Sequence, residues 1–154
     1  MIDPYLIMAD DNTDDIALLE EALHFTGNPD VRIIASNDGR DAWNILSTIT
    51  VDTVLPRLLI LDLNLPYICG DAFVTRMRSV NHLQHIPAII ISSGSIPQHQ
   101  HADACFEKPG AWDEYLLFAR MLCELYFSER PSGLMETSHI VVNYNISNNH
   151  ENST

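Results

Sequence analysis

Five side chains of this 154-residue sequence have types and spacings that could do chemistry together: Asp10, Asp11, Asp62, Ser92 and Lys108. Each follows a short apolar run. Tyr5 to Ala9 precedes Asp10-Asp11, Leu58 to Leu61 precedes Asp62, Ala88 to Ile91 precedes Ser92, and Cys105 to Glu107 precedes Lys108. A single aspartate after such a run is ordinarily a solvated loop residue, but four loaded strand ends at one sheet edge are a different matter. Carboxylates brought close together repel, which raises at least one pKa or calls for a cation. An all-oxygen set without Cys or His selects a hard ion, and Mg²⁺ prefers a few carboxylates while keeping waters and phosphate oxygens. Asp10, Asp11 and Asp62 therefore suggest a Mg²⁺ site awaiting a phosphoryl group. Lys108 offsets the remaining acid and can grip a phosphoryl oxygen, and the Ser92 hydroxyl can donate to another.

These residues need a scaffold that brings strand ends together. After the first run, Asp10 to Asp15 is a polar turn, and Ile16, Leu19 and Leu23 fall on one helical face that Asn12 or Thr13 can cap. Thr26 to Pro29 breaks the chain before a second strand at Val31 to Ala35, followed by a helix over Asp41 to Ile49. The uninterrupted apolar runs at Leu58 to Leu61 and Ala88 to Ile91 suit strands buried on both faces. A helix over Asp71 to Val80 lies between them, a weaker fifth strand covers Cys105 to Glu107, and Trp112 to Phe127 reads as a long last helix. On that helix Trp112, Leu116, Ala119, Leu122 and Cys123 lie along one side. Only 15 residues separate Ser92 from Lys108, and they include Gly94 and Pro97. A short or irregular fourth helix around Pro97 to Ala104 is the expectation. Alternating strands and helices with short crossovers predict an α/β fold with a doubly wound parallel sheet.

Composition bounds the function. Hydrophobic residues make up 46% and charged residues 19%, as in ordinary globular chains, and the length suits one domain. Against 21 Asp and Glu stand 8 Lys and Arg, a formal charge of -13, and Lys108 is the single lysine. Without clustered basic residues, nucleic acid is not an expected partner. No apolar run reaches the roughly 18 residues of a membrane span. Met1 to Pro4 carries no basic start of a signal peptide, so a cytoplasmic location is expected. Cys69, Cys105 and Cys123 lack C-x-x-C spacing and predict reduced, mostly buried thiols. Residues 1–130 read as the domain. Residues 131–154 read as an Asn-rich extension, in which the β-like His139 to Ile146 could add a strand or pair with another chain, leaving a homodimer open.

The ordered motifs resemble one family, the receiver domains of two-component response regulators. They are Asp10-Asp11-Asn12, Leu61-Asp62-Leu63-Asn64-Leu65-Pro66, Ser92 five residues past Pro87, and Lys108-Pro109, with Asp38-Gly39 and Gly70 as further matches. The resemblance spans about Tyr5 to Phe127, and the acidic start is similar to stand-alone receivers of the phytochrome-partner type. It implies a flavodoxin-like five-stranded sheet of order 2-1-3-4-5. It also implies a phosphorelay role: Asp62 accepts a phosphoryl group from a histidine kinase or phosphotransfer protein. Asp10, Asp11, Asp62 and the backbone carbonyl of Asn64 would hold Mg²⁺, Lys108 would pair with the phosphoryl, and Ser92 would swing toward it. The implied Lys108–Pro109 peptide is cis. Catalysis would be limited to the chain's own phosphorylation and dephosphorylation, with the output passing to a downstream protein partner and no membrane involved. The sequence departs from the family pattern at Cys69, where an Asp is common, and at Cys105, where an aromatic switch residue is expected. Those departures and the short link after Ser92 motivate an alternative, a receiver-fold module that binds protein without phosphate. A phosphate-ester hydrolase is weaker, because Asp62-Leu63-Asn64 lacks a second carboxylate two residues on.

Overall fold

The computed structural model describes residues 4–27, 30–94 and 101–128. The elements follow as β1 (Tyr5–Ala9), α1 (Thr13–Phe25), β2 (Arg32–Ser36), α2 (Gly39–Ser47), β3 (Leu58–Asp62), α3 (Gly70–Arg78), β4 (Ala88–Ser92), β5 (Ala104–Glu107) and α4 (Trp112–Leu122). A π-helical turn, Cys123–Phe127, continues α4. All strand pairs are parallel, and the sheet order is β2-β1-β3-β4-β5, as the resemblance implied. Every residue of β1, β3 and β4 is buried, which is why their sequences run apolar without alternation: both faces are covered. Leu6, Met8, Leu58, Ile60, Ile89 and Ile91 face α1 and α4. Ile7, Leu59, Leu61 and Ile90 face α2 and α3.

Caps and packing shift several boundaries from the sequence expectations. The Asp38 side chain accepts from the Asp41 amide at 2.7 Å and draws the start of α2 back to Gly39. Asn12 caps α1 by accepting from the Asp14 amide at 3.0 Å. The buried stripe of α4 is Tyr115, Phe118, Ala119, Met121 and Leu122, while Trp112 is 38% exposed. Phe118 meets Phe106 edge to face at 5.7 Å, and burying both aromatics turns that face of the helix to the sheet. Of the thiols expected to be mostly buried, Cys69 is exposed and Cys105 and Cys123 are half-buried, and no disulfide joins the three.

Residues 95–100, with the first half of the expected fourth helix, lie outside the described residues, as do 129–154 with the β-like His139 to Ile146. His101 to Asp103 form a turn and Ala104 opens β5, so the helix expected as far as Ala104 does not reach it. The Arg78 guanidinium explains this end. It donates to the carbonyls of Gln84 (2.8 Å), Ile86 (2.6 Å) and His101 (3.0 Å) and pairs with Asp103 at 2.9 Å. Asp103 in turn accepts from the Ala88 amide at 2.7 Å, so the entry to β5 is tied to the start of β4. Among the described residues no helix is long and apolar enough to cross a membrane.

Candidate functional site

Parallel strands end at one edge, and their loops open a crevice there. Asp10 leaves β1 with its amide bonded to the Ser36 carbonyl at 3.0 Å, one step beyond the β1–β2 ladder. Asp62 is the last residue of β3, and the next amide, of Leu63, bonds to the Ile91 carbonyl at 2.8 Å. Beyond β5 the Lys108 amide bonds to the Ser92 carbonyl at 2.8 Å. These extra rungs hold the functional residues on the sheet rather than on free loops. Two glycines allow the flanking loops to close in: a Cβ on Gly70 would stand 2.6 Å from the Asp62 carbonyl oxygen, and one on Gly39 would overlap the Ile68 carbonyl.

The structure brings four of the five predicted side chains together. Ligand oxygens of Asp10, Asp11 and Asp62 lie within 4.8 Å of one another. Asp10 and Asp62 are buried, and Asp11 is exposed at the mouth. Lys108 Nζ lies 2.9 Å from Asp62 Oδ2 and donates to Asp10 Oδ1 at 3.1 Å. The Asn64 amide donates to Asp62 Oδ1 at 3.0 Å, and the Asn12 amide to Asp10 Oδ1 at 2.9 Å. The fifth residue, Ser92, is buried at the end of β4, where its Oγ accepts from the Gly94 amide at 3.2 Å. Exposed Ser93 lines the cleft beside Asp62, Asn64 and Lys108. The Lys108–Pro109 peptide is trans, contrary to the cis bond implied by the resemblance, and the lysine still points into the cluster.

Two neighbours of the site went unnoticed in the sequence. Asp15 Oδ2 accepts from Lys108 Nζ at 3.1 Å, and Tyr115 donates its hydroxyl to Asp15 Oδ1 at 3.0 Å. Asp15 sits in the first turn of α1, where an acidic residue needs no explanation beyond the helix dipole. Tyr115 lies 100 residues further along the chain, on the last helix, and its only sequence signal is helical spacing.

Electrostatics set the chemistry. Burial pushes the Asp10 carboxyl up to about 6, against the Asn12 amide and Lys108, which lower it. Burial works against the Lys108 charge, but hydrogen bonds to Asp62, Asp10 and Asp15 outweigh it and hold the ammonium above the ordinary lysine range. One ammonium thus faces the carboxylates of Asp10, Asp11, Asp15 and Asp62. Asp10 Oδ2 is buried and lies 3.0 Å from Nζ, in ion-pair contact but outside hydrogen-bond geometry. Three carboxylates with ligand oxygens within 4.8 Å of one another, balanced by a single ammonium, fit a divalent cation. The arrangement is equipped to neutralise a phosphoryl group next to a carboxylate nucleophile.

No protein-family model matches the chain. Curated proteins that match segments of it include the sensor histidine kinase TmoS of Ectopseudomonas mendocina, 28% identical over 90 residues, and a probable cyclic di-GMP phosphodiesterase of Vibrio cholerae, 28% identical over 95 residues. The matches cover 58% and 62% of this chain but only 8% and 20% of those proteins. Solved structures are closer in extent. The phosphorylated cyanobacterial phytochrome response regulator RcpA is 25% identical, with a TM-score of 0.71 over 83% of this chain and 96% of that one. The Mn²⁺-bound response regulator Rcp1 is 19% identical with a TM-score of 0.69 over 83% and 97%. RPA3017, a response regulator in red light signalling of R. palustris, is 20% identical with a TM-score of 0.67 over 84% and 99%. The fold is therefore the flavodoxin-like fold of response-regulator receiver domains. Of these similar structures, RcpA is a phytochrome response regulator and RPA3017 acts in red light signalling.

Proposed function

We propose that the chain is a phosphorylatable receiver whose acceptor is Asp62. The observation that carries this reading is the convergence of Asp62, Lys108 and the Asp10–Asp11 pair at an open cleft, with Lys108 Nζ 2.9 Å from Asp62 Oδ2. An Asp62 oxygen attacks phosphorus, an O–P bond forms and the N–P bond of a partner's phosphohistidine breaks. The electron pair returns to the imidazole nitrogen, which takes a proton from solvent. Asp10, Asp11, Asp62 and the Asn64 carbonyl would hold Mg²⁺, which when bound offsets charge on the phosphoryl oxygens. Lys108 donates to a phosphoryl oxygen, and the Asn64 amide steadies the Asp62 carboxylate. Positioning and charge compensation do most of the work in such a transfer. Ser92 would reach the phosphoryl only by leaving the Gly94 amide, which ties its movement to the loop after β4. A histidine kinase or phosphotransfer protein loads the site, and a downstream protein reads it in the cytoplasm.

A small-molecule phosphodonor with Mg²⁺ should label the wild type and leave Asp62→Asn unlabelled, as read by intact mass. Equal labelling of both proteins would overturn the assignment.

A further inference from the structure

We infer that Asp15 and Tyr115 form a relay that carries the state of Asp62 from Lys108 to the first turns of α4; this rests on the receiver reading of the site. Lys108 has three N–H donors, and three carboxylates take them: Asp62 Oδ2 at 2.9 Å, Asp10 Oδ1 at 3.1 Å and Asp15 Oδ2 at 3.1 Å. None is left for a phosphoryl oxygen. A phosphoryl group on Asp62 places its oxygens farther out than Oδ2, so the ammonium must move outward and give up a carboxylate to meet them. Asp10 and Asp62 belong to the metal cluster, whereas Asp15 does not and has a second donor in the Tyr115 hydroxyl at 3.0 Å. Asp15 is the partner that Lys108 can release.

That release is felt by Tyr115. Its ring is buried against α1 and the sheet, and Asp15 and Lys108 are shielded as well, with side-chain exposures of 18% and 15%. Charge effects among such groups are stronger than on an open surface. With the ammonium gone, Asp15 is an uncompensated carboxylate, and its bond from the phenol tightens or the pair turns toward solvent. Either change moves the start of α4, where Trp112 sits one turn before Tyr115. The coupling is reciprocal: a partner that fixes the start of α4 sets how readily Lys108 meets a phosphoryl group.

The two tryptophans, Trp43 and Trp112, give two indole N–H signals by NMR, assigned with Trp43→Phe. Beryllofluoride with Mg²⁺ serves as the phosphoryl mimic, and covalent labelling of Asp62 by a small phosphodonor is measured on the same proteins. Wild type should shift the Trp112 signal on beryllofluoride addition. Tyr115→Phe should keep Asp62 labelling within about two-fold and lose most of that shift, and Asp15→Asn, which removes the charge, should lose it too. A structural tyrosine would lower the melting temperature while leaving the shift intact, so an undiminished shift in both variants overturns the relay. Labelling of wild type without any Trp112 shift also overturns the relay and leaves the receiver reading standing. Absence of labelling in wild type overturns the receiver reading and the relay together.

Discussion

At the residue scale, two ionisable groups have properties that the sequence did not contain. Burial lifts Asp10 to about 6, so the folded protein without metal holds a proton that the unfolded chain has released. The contribution of that group to stability is therefore full below the ordinary carboxylate pKa and is lost as pH rises through about 6, to the extent of at most about 3 kcal/mol. Metal binding demands the ionised form, so Mg²⁺ should bind more tightly as pH rises through the same window. We expect the metal-free protein to lose melting temperature between about pH 4 and about 6, and saturating Mg²⁺ or Asp10→Asn to abolish that loss. An identical profile in Asp10→Asn would show that another group is responsible. Lys108, the single lysine, is 15% exposed and held protonated by three carboxylates. Amine acylation should therefore modify it slowly in the folded protein and fully after denaturation; equal rates would show that the ammonium is free. The acid–lysine set was legible because residue type and position after a strand reveal it. Asp15 and Tyr115 were not, because their roles depend on how α1 lies against α4.

At the element scale, the loop from β3 to α3 shapes the mouth of the site. Gly70 donates its amide to the Leu63 carbonyl at 3.1 Å while packing against the Asp62 backbone, and Gly39 donates to the Pro66 carbonyl at 2.9 Å. Between them Tyr67 takes a left-handed backbone with φ of 67°, its ring exposed and stacked under the Arg40 guanidinium at 3.9 Å. A tyrosine in that conformation costs about 1 kcal/mol and gives no sequence signal. Gly70→Ala pushes a methyl into the Asp62 carbonyl, and the backbone that must yield is the one carrying the acceptor. We expect a destabilisation of about 1–3 kcal/mol by denaturant unfolding, together with weaker Mg²⁺ binding. Unchanged stability and metal affinity would show that the loop yields without moving Asp62. The apolar strands were legible because a central parallel strand writes burial into every residue. The buried face of α4 was misplaced because several apolar residues spread around that helix, and only the sheet decides which of them turn inward.

At the scale of the whole molecule, two cores close on either side of one sheet. Leu6, Met8, Ile60 and Ile91 meet α1 and α4 on one face, and Ile7, Leu61, Phe73 and Met77 lie on the other. Among the described residues all five strands and both layers lie before Ser128, and Arg57 donates to the Tyr126 carbonyl at 3.5 Å beside β3. On that basis we expect the domain to fold without residues 131–154. One feature of the surface argues the other way. Val51, Val54 and Leu55, in the connection from α2 to β3, are 80%, 48% and 44% exposed. Arg57, which donates to the Tyr126 carbonyl, follows Leu55 by two residues. Scattered exposed apolar residues are ordinary on a protein surface, and three short aliphatics make a small patch. We therefore expect a chain ending at residue 130 to unfold cooperatively, to lie within about 1 kcal/mol of the full chain and to label Asp62 at an unchanged rate. A loss of several kcal/mol, recovered when Val51 and Leu55 are made polar, would instead place residues 131–154 on that patch as part of the fold.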